Sequence, residues 1–135
     1  MANNPAADFE TAIRPTLTVN NGVAAVGFYK KAFNAAELMR VEAPDGAIVA
    51  ELSINGARFF VADGSSDDPT PNRSGNIPIR MGLIVADPDA LAASAIAAGA
   101  TEVYPVADQD YGYRLGHIID PYGHHWEICR PLHIK

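Results

Sequence analysis

A chain of 135 residues, 48% apolar and 19% charged, has the size and composition of one domain with its own core. Its 10 basic and 16 acidic residues leave a net charge of −6, with no Lys/Arg stripe to neutralise phosphates, so no nucleic-acid partner is expected. Cys129 is the only cysteine, which excludes an intrachain disulfide or a cysteine zinc cluster. No stretch is apolar enough for a bilayer span and Met1 to Glu10 lacks the pattern of a secretory leader, so no membrane partner is expected and the cytoplasm is the expected location.

Residues 1–12 read as a loose arm. Arg14 to Val19 reads as a strand, because β-branched Thr16, Thr18 and Val19 surround Leu17 in alternation. Asn20-Asn21-Gly22 then caps a helix from Val23 to Phe33, in which Ala25, Phe28 and Ala32 recur on one face and Lys30 and Lys31 suit the C-terminal end. Strands follow at Glu37–Glu42, Ile48–Ile54 and Ala57–Ala62, punctuated by Pro44-Asp45-Gly46 and by the hairpin dipeptide Asn55-Gly56. The run 64–78, rich in Gly, Ser, Asp, Pro and Asn, reads as a linker. A strand at Arg80–Val85 comes next. Asp87-Pro88 opens a helix continued by Ala90 to Ala98 and ended by Gly99. Three more strands are predicted at Glu102–Val106, Tyr113–Ile119 and His124–Cys129, with Asp120-Pro121-Tyr122-Gly123 turning between the last two.

The order is thus β-α-β-β-β, twice. Val19 and Val85, Asn34 and Gly99, Asp45-Gly46 and Tyr111-Gly112, and Asn55-Gly56 and Tyr122-Gly123 recur at a nearly constant offset of about 66 residues. The expected fold is α+β: a single domain over 1–135 built of two modules, 13–63 and 79–131, joined by 64–78. Their curved sheets are expected to enclose a cavity.

Strand alternation assigns faces. With Leu17, Val19, Leu83 and Val85 under the helices, Arg14, Thr16, Thr18, Arg80, Gly82 and Ile84 face the cavity. Trp126 and Ile128 go to the core, which turns His125, Glu127 and Cys129 inward, as it does Arg58 and Phe60. On the third strand of each module the inward residues are read as Val49, Glu51, Ser53 and Arg114, Gly116, Ile118. His117 and His124 fall on the helix side as hydrogen-bonded structural histidines. Cys129 lacks any signal for thiolate activation and reads as inert. Arg114, with a fork suited to carboxylate or phosphonate oxygens, reads either as a ligand anchor or as the partner of Glu51 or Glu127. Tyr104, Tyr111 and Tyr113 either stack on a ligand or form a rim or subunit contact. So many charges on one face must pair with each other or bind something charged.

These residues resemble the vicinal-oxygen-chelate superfamily of glyoxalase I, bleomycin-resistance proteins and extradiol dioxygenases, nearest its PhnB-like branch. The likeness rests on Leu17-Thr18-Val19, Phe28-Tyr29-Lys30-Lys31-Ala32-Phe33, Gly99-Ala100-Thr101, Tyr111 to His117 and, most specifically, Asp120-Pro121-Tyr122-Gly123-His124-His125-Trp126-Glu127-Ile128. It spans residues 12 to 131. The superfamily's metal-dependent enzymes use four inward positions, which fall here on Arg14, Phe60, Arg80 and Glu127. Only Glu127 could ligate, since arginine is permanently cationic and phenylalanine has no lone pair. No metal and no cofactor are therefore expected, although His125 and Glu127, two apart on one strand face, leave an atypical metal pair open, with Glu51 near. The resemblance implies a homodimer and a small-molecule ligand bound by Arg14, Glu51, Arg58, Phe60, Arg80, Tyr111, Tyr113 and Arg114. The leading expectation is a metal-free protein that sequesters its ligand. The alternative is a metal-independent enzyme using Glu127 and His125 as acid and base, with Arg80 or Arg114 steadying negative charge. A metal-dependent lyase or dioxygenase ranks third.

Overall fold

The computed structural model describes residues 12–64 and 80–132; the expected arm and nearly all of the linker lie outside them. Strand β1 (Thr16–Val19) leads to helix α1 (Gly22–Phe33) and to β2 (Ala36–Glu42), β3 (Ile48–Ile54) and β4 (Ala57–Asp63). The second half repeats the order with β5 (Arg80–Ile84), α2 (Pro88–Ala97), β6 (Thr101–Asp108), β7 (Tyr113–Ile119) and β8 (His125–Pro131). The first four strands form one sheet, ordered β1-β4-β3-β2, and the second four another, ordered β5-β8-β7-β6. Only the β1–β4 and β5–β8 pairings are parallel, as a helix crossover between them requires.

Local chemistry sets these elements. The Asn21 side chain accepts from the Ala24 amide at 3.1 Å and the Asp87 side chain from the Ala90 amide at 3.1 Å, so each helix starts on a side-chain cap. Asn34 closes α1 in the left-handed region, with φ 56°. Gly22 must be glycine. A Cβ there would lie 2.6 Å from Asp63 Oδ2, and that carboxylate already accepts from the Gly22 amide at 2.7 Å and the Ile48 amide at 2.8 Å.

Leu17, Val19, Ile48, Ala50, Leu52, Phe59 and Val61 from the first sheet meet Leu83, Ile118, Trp126 and Ile128 from the second around the two helices, in one core. The centre is aromatic. Trp126 lies 4.8 Å from Phe33, 5.7 Å from Phe59 and 5.8 Å from Tyr29, ring centre to ring centre. Such pairs add about 0.5–1.5 kcal/mol each beyond area burial. Asp120, only 3% exposed, ties the halves together. One of its oxygens accepts from the Tyr29 hydroxyl at 2.5 Å and Trp126 Nε1 at 2.9 Å, the other from the Tyr122 and His124 amides at 2.9 and 3.0 Å. Burial and the adjoining Asp120 push the Tyr29 hydroxyl pKa well up, so it serves only as a donor.

The alternation read from sequence is out of phase on β7. Leu115 pairs with Cys129, His117 with Glu127 and Ile119 with His125, so Tyr113, Leu115, His117 and Ile119 share the face turned away from the helices. Arg114, Gly116 and Ile118 lie on the helix side. Ile118 is 1% exposed there, and a Cβ on Gly116 would come within 2.8 Å of the Val106 backbone nitrogen on irregular strand β6.

Asp120→Ala leaves the Trp126 and Tyr29 donors and two amides without their acceptor. It is expected to cost roughly 3 kcal/mol or more, with Asp120→Asn, which keeps one acceptor oxygen, costing less. Urea unfolding followed by Trp126 fluorescence checks the order, and equal costs for the two variants would contradict the four-bond account.

Candidate functional site

The faces turned away from the helices carry the polar chemistry, and each sheet has its own cluster. On the first sheet Glu51 is the acceptor. Arg58 Nε donates to Glu51 Oε2 at 2.7 Å, and Arg14 Nε lies 3.6 Å from the same oxygen. The Arg58 hydrogen bond holds the Glu51 carboxyl below the usual range, with Arg14 adding to it. Phe60, directly opposite Glu51 and Thr16, forms the apolar part of this face.

The second sheet carries a different set. Arg80 Nε stands 3.2 Å from Glu127 Oε2. Beside this pair His117 Nε2 and His125 Nδ1 are 2.8 Å apart, a direct imidazole–imidazole hydrogen bond. The Tyr104 ring meets His117 edge-on at 5.5 Å. Burial first, and then the His125 neighbour, lower the His117 pKa against the upward pull of Glu127. His117 is therefore neutral at pH 7. Burial raises the Tyr104 phenol, and Glu127 and Tyr111 raise it further, which places both tyrosines in the same electrostatic neighbourhood.

Joined through one nitrogen of each ring, the two histidines leave His117 Nδ1 and His125 Nε2 free to donate to or accept from a ligand. A proton taken up at one outer nitrogen can be passed across the shared bond and balanced by release of a proton from the other, so the pair can also relay a proton. Cys129, on the same face, has its thiol pushed up by burial and by Glu127, so it is a protonated bystander.

The structure thus brings together Arg80, His125 and Glu127 on one sheet and Arg14, Glu51, Arg58 and Phe60 on the other. Tyr113 lies at the end of the second face, opposite Pro131, and Tyr111 sits exposed in the turn before β7. Arg114 is not a site residue. Its guanidinium grips both oxygens of Asp89 on α2 at 2.7 Å and reaches Asp108 at 2.9 Å, far from the roles of ligand anchor or of partner to Glu51 or Glu127. The residue missed is His117. The signal for it was the single histidine on β7 opposite Glu127, hidden because Leu115, Ile118 and Ile119 make β7 apolar on both faces. His124 remains structural, with Nε2 2.8 Å from the Thr18 carbonyl of the first sheet.

The four positions used for metal in the superfamily's enzymes do not fit an ion here. Arg14 faces Glu51, Phe60 offers no lone pair, and Arg80 occupies the carboxylate of Glu127, the one competent ligand. The atypical pair is also engaged elsewhere, with His125 on His117 and Glu127 on Arg80. Among the described residues no three His, Cys, Asp or Glu side chains converge to hold an ion.

Comparison with known proteins agrees with this architecture. The glyoxalase-like domain model matches residues 16–129. Uncharacterised proteins of Mycobacterium bovis and Mycobacterium tuberculosis are each 40% identical over 133 residues, covering 94% of this chain and 88% and 78% of their own lengths. Among solved structures, TioX from Micromonospora sp. ML1 is 27% identical with a TM-score of 0.69, over 91% of this chain and 100% of its own. The fosfomycin resistance protein FosX from Listeria monocytogenes shares the fold, with a TM-score of 0.71 at 16% identity over 91% of this chain and 94% of its own. With the family model spanning both sheets and both helices, the chain belongs to the glyoxalase-like domain family of the vicinal-oxygen-chelate superfamily.

Proposed function

We propose that this protein binds a small organic molecule on the open face of the second sheet without a divalent metal, and sequesters it. The observation that carries the reading is Arg80, ion-paired to Glu127 where the superfamily's metal enzymes place a ligating side chain. An arginine beside the last competent carboxylate repels a cation and leaves a polar, charge-balanced surface for an organic ligand. The Arg80–Glu127 pair offers one donor and one acceptor group, the histidine pair a second set, and Tyr104 and Tyr113 supply aromatic walls.

The His117–His125 hydrogen bond favours a second reading, a metal-independent acid–base enzyme with His125 and Glu127 as the proton-moving groups and Arg80 steadying developing negative charge. Its mark is deuterium wash-in next to a carbonyl of a bound ligand, followed by proton NMR and lost in both His125→Gln and Glu127→Gln with circular dichroism unchanged.

Homodimerisation belongs to the same proposal. Val41 and Val49 on the first open face are large apolar side chains left 60 and 41% exposed, a surface that a second copy would cover. Cytoplasmic placement rests on the free thiol of Cys129. No described helix is long and apolar enough to cross a membrane.

Two outcomes are expected. Protein loaded with Mn²⁺ or Zn²⁺ and then desalted should retain far less than one ion per chain by elemental analysis, whereas one tightly held equivalent would sink the metal-free reading. Native mass spectrometry of freshly purified protein should show a noncovalent small-molecule adduct that is reduced in Arg80→Gln and His125→Gln. An adduct that both variants keep would remove the ligand from this face.

The depressed pKa of His117 also has a stability consequence. The unfolded chain binds this proton at the ordinary imidazole value of about 6.5, the folded chain only at lower pH, so stability rises with pH through that window. Stability is expected to fall as pH drops below about 6.5 toward the lowered folded value. His117→Gln should flatten that limb in denaturant titrations at stepped pH, and an unchanged slope would contradict it.

A further inference from the structure

A second binding surface runs along the seam between the two halves, apart from the histidine cluster. One cavity of about 430 Å³ is lined by Ile54, Ala57, Leu83, Ile84, Arg130 and Pro131 among others. A neighbouring one of about 310 Å³ shares Ile54, Ala57 and Leu83 and continues to Phe59, Trp126, Arg58 and Arg80. The two form one groove along β5. At about 3.3 Å per residue, the stretch from Arg80 to Ala86 that borders it is roughly 20 Å long.

The floor is apolar, and the charges on its walls have one sign. Arg130, Arg58 and Arg80 line the groove, and no Asp or Glu is among its described lining residues, in a protein whose net charge is −6. Arg58 and Arg80 share their charge with Glu51 and Glu127 on the open faces. Arg130 differs: its described hydrogen bond runs from Nη1 to the Ala86 carbonyl at 3.2 Å, a neutral acceptor, and among the described residues no carboxylate pairs with its guanidinium. A long apolar trough with a cation at its end is complementary to an organic anion with an extended apolar body.

We infer that this seam groove is a binding site for an amphipathic monocarboxylate. The hydrocarbon lies over Ile54, Leu83 and Ile84, the carboxylate meets Arg130, and the tail runs toward Trp126. The site shares no residue with the His117–His125 pair.

Trp126, the only tryptophan, lines the groove and reports on it directly. Full-length protein is titrated with decanoate and, separately, with decylammonium while Trp126 emission is followed. The overall charge of −6 favours the ammonium, so the sign of the preference reads the local field. Decanoate is expected to shift the emission saturably and to bind at least about tenfold more tightly than decylammonium, the scale of one charge-assisted hydrogen bond. Arg130→Gln, which retains a donor for Ala86, should weaken decanoate about tenfold and erase the preference. Ala57→Phe, placed where the two cavities join, should block the response. Arg80 borders both surfaces, so the two sites are told apart at Arg130 and His125: Arg130→Gln should weaken decanoate while His125→Gln leaves its binding unchanged. Equal binding of acid and amine, indifference to Arg130→Gln, or a response that merely tracks a change in sedimentation coefficient would each overturn the assignment, the last by showing a second copy in the groove.

Discussion

Among the described residues no backbone ladder joins the two sheets, each of which keeps to its own four strands. Their relative placement therefore rests on side chains in the shared core, and the buried carboxyl of Asp120 is the polar group at its centre, accepting from both halves. With Tyr29 of α1 on one side and Trp126 of β8 on the other, its oxygens fix two large rings whose apolar bodies could otherwise slide against Phe33 and Phe59. A buried carboxyl with four donors is satisfied only in one arrangement of those donors, so the group specifies geometry more than it adds net stability. The adjoining amides of Tyr122 and His124 belong to the same turn that sends the chain into β8. His124 then reaches the Thr18 carbonyl of the first sheet. One turn, 120–124, thus sets both the angle between the halves and the starting phase of the strand bearing His125 and Glu127.

That shared frame makes the two halves comparable position by position. Glu51 and His117 lie at equivalent places on β3 and β7, each opposite a residue of the neighbouring strand, Phe60 in one case and Glu127 in the other. Arg58 and His125 are likewise equivalent, one step along. In both halves the two equivalent side chains are hydrogen-bonded to each other, at 2.7 Å for Arg58–Glu51 and 2.8 Å for His117–His125. The first half holds a fixed ion pair at this place, insensitive to pH near neutrality. The second holds a pair of titratable rings, with its carboxylate displaced to Glu127 and answered by Arg80. The same scaffold position is structural in one copy and chemically responsive in the other, which is why the candidate site lies on the second sheet.

Much of this was legible in the sequence. The caps at Asn21 and Asp87, the hairpin at Asn55-Gly56 and the duplicated order of elements all follow from local rules that tertiary contacts did not override. Alternation placed Glu51, Arg58, Arg80, His125 and Glu127 on the open faces because in β3, β4 and β8 the apolar residues fall mainly on one side. It failed on β7, where Leu115, Ile118 and Ile119 give both sides apolar character and Gly116 gives neither side a marker. The phase there is decided by contacts remote in sequence: the Val106 backbone pressing on Gly116, and Asp89 on α2 drawing Arg114 to the helix side. Only the pairing of β7 with β8 reveals that His117, not Arg114, stands beside His125.

The placement of charge carries the functional argument one step further. On the second open face Arg80 and Glu127 balance one to one, whereas on the first Arg14 and Arg58 share the single carboxylate of Glu51. The specificity of the second face therefore comes from hydrogen-bond direction, with the histidine pair the most adaptable element. Arg80 is the position on which the alternatives divide. Paired with Glu127 it removes the carboxylate from metal chemistry, yet it leaves that carboxylate available to a polar ligand that can displace or bridge the guanidinium. A ligand that inserts between them must satisfy both charges at once, or leave one of them unpaired where the Glu127 side chain is only 27% exposed. Donor and acceptor must then be adjacent in the ligand where it meets Arg80 and Glu127, while the outer nitrogens of His117 and His125, on the far sides of their joined rings, address a more widely spaced second pair of groups.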